Sequence, residues 1–168
     1  MGLFSFVKGI GEKITGKSDT PVVAAPNAPA APAPHAPAAE PTAQQIANLL
    51  LNRVQSLGLG VIGLSISYNS ATDTATIRGE AKSQADREKI VLAVGNVNHV
   101  AAVQDDMTVT TPAPESKFYT VKSGDTLSKV AKEVYGNANL YTKIFEANQP
   151  MLSHPDKIYV GQVLRIPA

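Results

Sequence analysis

The sequence predicts an α+β chain of two small domains. Three observations predict it. Residues 42–110 switch from helical hydrophobic spacing to alternation and back, in the order helix, strand, strand, helix, strand. Residues 118–168 read as strand, helix, helix, strand. Between them, at 111–117, Pro112 and Pro114 interrupt any regular element. A segment at 1–18 stands apart, joined by a Pro/Ala-rich linker at 19–41.

In residues 1–18, Leu3, Phe6, Val7, Ile10 and Ile14 recur at helical spacing, which predicts an amphipathic helical segment. Two aromatic rings and few cations suit docking on the protein itself better than a membrane surface. Lys8, Glu12 and Lys13 break the apolar run that an export signal requires, so a cytoplasmic chain is expected, and no window is long enough to span a bilayer. Phe6 stands where a myristoylation motif wants Ser or Thr. The linker holds seven of the twelve prolines. Proline removes backbone donors and favours extended chain, about 3.1 Å per residue, so no packed element is expected there.

The first domain opens with Thr42 and Gln45 three residues later, a capping-box pattern, followed by Ile46, Leu49, Leu50, Val54 and Leu57 on one face. Gly58 and Gly60 close that helix. Ile62, Leu64, Ile66 and Tyr68 then alternate with small or polar residues, as do Ala75, Ile77, Gly79 and Ala81 after a loop at 69–73. Ser83 with Asp86 predicts the next helix start, and Ile90, Val91, Val94 and Val97 its apolar face. A third strand follows at about 101–109, with Asp105 on its apolar register marking a bulge or a specific polar role.

In the second domain an alternating stretch at 119–122 leads into a turn, with Asp125 placed to cap a helix carrying Leu127, Val130, Ala131, Val134 and Tyr135. Gly136 ends it. Asn137 starts a second helix, with Leu140, Ile144 and Phe145 facing inward, and Gly161-Gln162 turns into a last strand at 163–166.

Chemistry for catalysis is missing. Ser123, Asp125 and His154 each have a local role in a turn, cap or loop, and no oxyanion motif accompanies them, so the chain is expected not to be an enzyme. His35, His99 and His154 lack ligand spacing for a transition metal, and His99 is expected in an exposed turn. Fifteen basic and fourteen acidic residues leave a net charge of +1, which speaks against nucleic acid. With no cysteine there is no disulfide or thiolate site. A monomer without stable membrane insertion is expected.

The motifs YTVKSGDTL and GQVLRIP, with two helices between them, resemble the LysM domain. IRGEAKSQADREK, with Gly79 in its second strand and VAAV after its second helix, resembles the BON domain. With MGLFSFVK in front, the chain is similar to the small cytoplasmic BON–LysM potassium-binding protein family of Gram-negative bacteria. It departs from that pattern in its long Pro/Ala linker and in Val160, where LysM domains usually have proline.

The resemblance implies K⁺ as the ligand. A large, weakly hydrated ion is well served by neutral carbonyl oxygens, and a helix C-terminus offers unpartnered carbonyls at the negative end of its dipole. Such an end lies at Gly95-Asn96, where Gly95 permits an irregular backbone; an ordinary helix cap is the alternative. Matched onto this sequence, the family's site falls on the backbone carbonyls of Val7, Ile10, Gly95, Val97, His99 and Val100. The LysM resemblance implies a second reading, a peptidoglycan or chitin-oligomer groove at Gly124, Asp125, Thr126, Asn148, Gln149, Pro150 and Ile158. A third is an interaction module of an envelope or phage-like assembly.

Overall fold

The computed structural model describes residues 2–6 and 41–167. Helix α1 (Ala43–Ser56) begins at Thr42, whose side chain accepts from Gln45 N–H while the Gln45 side chain accepts from Thr42 N–H, the reciprocal cap the sequence announces. Ile46, Ala47, Leu50 and Val54 form its buried stripe. Strands β2 (Val61–Asn69) and β3 (Thr74–Ser83) make an antiparallel hairpin. Ser83 caps α2 (Gln84–Gly95) by accepting from Asp86 N–H. Strand β4 (Ala102–Thr111) returns parallel to β3. Leu50, Ile77, Ile90, Val94 and Val103 are fully buried in the core that the two helices and the sheet enclose.

The first residues depart from the sequence expectation. Gly2–Ser5 are strand β1, not helix; they pair antiparallel with β4 and complete a sheet of order β1-β4-β3-β2. The alternation of a strand replaces helical spacing, so Leu3 is 71% exposed while Phe4 and Phe6 pack on the core. The physical reason is the open edge of β4, which offers backbone partners that four residues of isolated helix could not supply internally. The rest of the N-terminal segment, with Val7 and Ile10, and the Pro/Ala linker lie outside the described residues.

The second unit is smaller. Strands β5 (Lys117–Thr120) and β6 (Val163–Ile166) pair antiparallel, and helices α3 (Leu127–Tyr135) and α4 (Tyr141–Ala147) pack over them. Val130, Ala131, Ile144 and Leu164 fill this core. Gly136 ends α3 at φ +72°, and a 3₁₀ turn at Ala138–Leu140 leads into α4. Two local expectations change. Thr126, rather than Asp125, caps α3 by accepting from Lys129 N–H. Asp125 instead closes the preceding turn, accepting from Lys122 N–H and the Tyr119 hydroxyl, and these donors hold its carboxyl below the usual range. Leu140 is 38% exposed, because the 3₁₀ turn rotates it off the inward face that continuous helix would give it.

Asp105 has the specific polar role that its register suggested, without a bulge. It is 1% exposed, pairs with Arg87 Nε at 2.7 Å and accepts from Met107 N–H.

Candidate functional site

The C-terminal end of α2 is where the chain's distant parts converge. Val97 N–H bonds back to Val94 O, and Val100 N–H donates to Val97 O at 3.0 Å, closing a tight turn with Asn98 and His99 at its centre. The side chains of Val97 and Val100 are buried in the core and pin the turn from below. Here lie four of the residues whose carbonyls the family resemblance implies: Gly95, Val97, His99 and Val100. His99 is half-buried rather than in an exposed turn, because Tyr68 reaches over from β2. The Tyr68 hydroxyl lies 2.6 Å from His99 O and 2.7 Å from Asp73 Oδ1. One proton thus serves two acceptors, and burial together with the Asp73 carboxylate pushes the phenol's pKa up.

The N-terminal strand reaches the same place. Phe6 N–H donates to Ala101 O at 2.8 Å, just beyond the turn. The Phe6 ring lies against Gly95 so closely that a Cβ there would fall 2.0 Å from its Cζ. This gives Gly95 a different reason from the one read in the sequence. Its φ is not in the left-handed region. What the position requires is room for a ring.

The second domain arrives from the other side. The Asn96 side chain is buried and bonds both backbone groups of Val163, its Nδ2 donating to Val163 O (2.9 Å) and its Oδ1 accepting from Val163 N–H (2.8 Å). The Tyr159 hydroxyl donates to Asn96 O. One helical face back, Arg165 Nε donates to Glu88, which also accepts from Ser116 N–H and Gln84 Nε2. Burial alone would raise the Glu88 pKa; Arg165 and the two further donors more than offset it and hold the carboxyl below its ordinary value. Phe4 meets Phe118 edge-on at 5.5 Å. Hence Gly95, Asn96 and Val97, consecutive in sequence, face the N-terminal strand, the second domain and the first core respectively.

The glycan positions are less open. Gly124 and Thr126 are exposed in the first turn, and Gln149 and Pro150 are exposed after α4. Asn148, however, is fully buried, and its amide is spent on Ile144 O and on both backbone groups of Arg165. Ile158 packs on the second core.

Sequence reading missed Asn96, Glu88 and Arg165 as cross-domain contacts, since no local pattern tells a polar helix residue that faces another domain from one that faces water. It also missed Asn98, whose Oδ1 is buried without a hydrogen-bond partner. Among the described residues no group of three or more His, Cys, Asp or Glu is placed to hold a metal. No helix among them is long and apolar enough to cross a membrane.

Comparison with known proteins agrees with this division. The BON domain family model matches residues 40–111 and the LysM domain model residues 119–167. An uncharacterized protein of Deinococcus radiodurans is 53% identical over 49 residues, which are 29% of this chain and 19% of that one. The potassium binding protein Kbp of Escherichia coli O6:H1 is 46% identical over 99% of both chains. This chain, a BON domain followed by a LysM domain, belongs to the Kbp family.

Proposed function

We propose that this protein binds K⁺ in the cytoplasm, as a sensor or buffer and not as an enzyme. The ion is held by the backbone carbonyls of Val7, Ile10, Gly95, Val97, His99 and Val100. The observation that carries this reading is the contact of Phe6 with Gly95 and Ala101, which delivers the chain leading into Val7 to the carbonyl-bearing end of α2. The relative's printed name supports the choice of ion. Chemistry supports it too: carbonyl dipoles at the negative end of a helix replace the hydration shell of a large monovalent ion without a carboxylate.

Binding at this turn stiffens three partners at once, because the residues flanking it are bonded to β1, to Tyr68 and to β6. Ion occupancy then orders the N-terminal segment and the LysM domain around the BON sheet. Glycan binding through LysM is the second reading; the family match favours it, and the internal bonding of Asn148 weakens it.

Thermal melting in KCl, RbCl, NaCl and choline chloride at equal ionic strength tests the proposal. A ligand bound only by the folded state adds about 2.7 kcal/mol at a hundredfold excess over its Kd. K⁺ and Rb⁺ are expected to raise the melting temperature and Na⁺ to raise it far less. Four superimposable curves refute ion binding, and retention on peptidoglycan would then favour the glycan reading.

A further inference from the structure

We propose that the side-chain amide oxygen of Asn98 is itself an ion ligand, a side-chain donor added to the backbone carbonyls of the same turn. The proposal rests on the K⁺ reading above and assigns a residue that reading does not contain.

Asn98 Oδ1 is the one side-chain oxygen among the described residues that is buried without a hydrogen-bond partner. A buried acceptor left without a donor loses its hydration and gains nothing, so native structures keep such atoms where a water or an ion completes them. Its neighbours sharpen the contrast. The Asn96 amide is satisfied by Val163, the Tyr68 hydroxyl by His99 O and Asp73, and the Tyr159 hydroxyl by Asn96 O. Each of these polar side chains bonds to protein, whereas Asn98 Oδ1 has no such partner. Its place is also specific, at the centre of the turn that Val100 N–H closes onto Val97 O, between two of the proposed carbonyl donors.

The chemistry of the atom selects the ligand class. An amide oxygen is neutral and dipolar, like a peptide carbonyl, and joins a carbonyl cage without changing its charge. Divalent ions are instead held mainly by carboxylates, and among the described residues no group of three or more Asp, Glu, His or Cys is placed to hold one. The class is therefore a weakly hydrated monovalent cation.

The experiment uses the full chain and K⁺ itself, with wild type, Asn98→Leu and Asn98→Asp titrated calorimetrically with KCl and NaCl and melted in KCl, NaCl and choline chloride. Leucine has nearly the shape of asparagine and removes the orphan acceptor. If Asn98 is a ligand, Asn98→Leu melts at or above wild type in choline chloride, yet binds K⁺ about tenfold more weakly, a loss of about 1.4 kcal/mol. That pairing of a stable ion-free fold with weakened binding is one a merely structural residue does not produce. Asn98→Asp keeps K⁺ binding and loses discrimination against Na⁺, because a charged oxygen favours the smaller ion. K⁺ affinity within twofold of wild type in Asn98→Leu overturns the proposal and leaves the K⁺ reading intact. If Asn98→Leu does not fold, unchanged K⁺/Na⁺ discrimination in Asn98→Asp overturns it instead. A wild type indifferent to K⁺ overturns both.

Discussion

Helices α2 and α3 each contribute to the core of their own domain, but they meet different surroundings. Helix α3 buries three of nine residues, Leu127, Val130 and Ala131, and turns Lys129, Lys132 and Glu133 to water. It is an ordinary amphipathic helix. Helix α2 buries eight of twelve, including Gln84, Glu88 and Gly95, and its buried residues are not confined to one stripe. The sheet, the N-terminal strand and the LysM domain each cover part of it. In α3 the charged residues lie at the surface. In α2 Glu88 meets another part of the chain, and the end of α2 is where those parts can be tied to one ligand.

The comparison breaks most visibly at Glu88. Glu88→Ala leaves Arg165 without its buried partner and is expected to cost about 3–5 kcal/mol in urea unfolding. The pH dependence follows with a definite sign. The folded-state pKa lies below the ordinary value of 4.5, so the contribution is complete above that pH and is lost as pH falls through the depressed folded value. Melting temperature should drop on acidification below about pH 4.5, and Glu88→Gln should flatten that slope. A slope equal to wild type in Glu88→Gln would assign the acid sensitivity to another group.

Next in size is Asn96→Ala, which strips partners from two backbone groups of Val163 and should cost about 2–3 kcal/mol. It should also split a single melting transition into two, as the LysM domain loses its bond to the end of α2. A single unshifted transition would show that Asn96 is not what joins the domains.

Gly95→Ala is expected to cost about 1–3 kcal/mol by displacing the Phe6 ring, and to weaken K⁺ binding with it. In a Phe6→Ala background the same change should be neutral or slightly stabilising, since alanine is the better helix former by about 1 kcal/mol. This double-mutant cycle isolates the contact. Equal costs in both backgrounds would mean that Gly95 serves its own backbone after all. The smallest effect is the control on α3: Lys132→Ala should move stability by no more than about 0.5 kcal/mol and leave the K⁺ response unchanged.

Elements whose causes are local were legible in the sequence. The Thr42–Gln45 cap, the Ser83 cap and the Gly136 stop each act within four residues, and each appears as read. Asp105 was legible as an anomaly because an acid on an apolar register needs a partner, although the sequence could not say that Arg87 supplies it. Strand β1 was not legible. Over so short a stretch, Leu3-Phe4-Ser5-Phe6 fits alternation as well as Leu3, Phe6 and Val7 fit a helix, and β4, about a hundred residues away, decides between them. At the candidate site, Gly95 was noticed for a conformational reason and is required for a steric one. Asn96 and Glu88 look like surface residues until the second domain covers them, 67 and 77 residues further along the chain.

The pairing of Gly2 with Asp105 has a consequence for the order in which the chain is made. At ribosomal speeds of about 5–20 residues per second, roughly 5–20 s separate the synthesis of β1 from that of its partner. During that time β1 waits. When β4 emerges it would otherwise present an unpaired edge, the kind of surface that recruits strands from neighbouring nascent chains. Its own edge partner is already made and tethered to the same molecule, so capture is intramolecular and outcompetes aggregation. The strand that frames the proposed ion site thus also protects the newborn sheet.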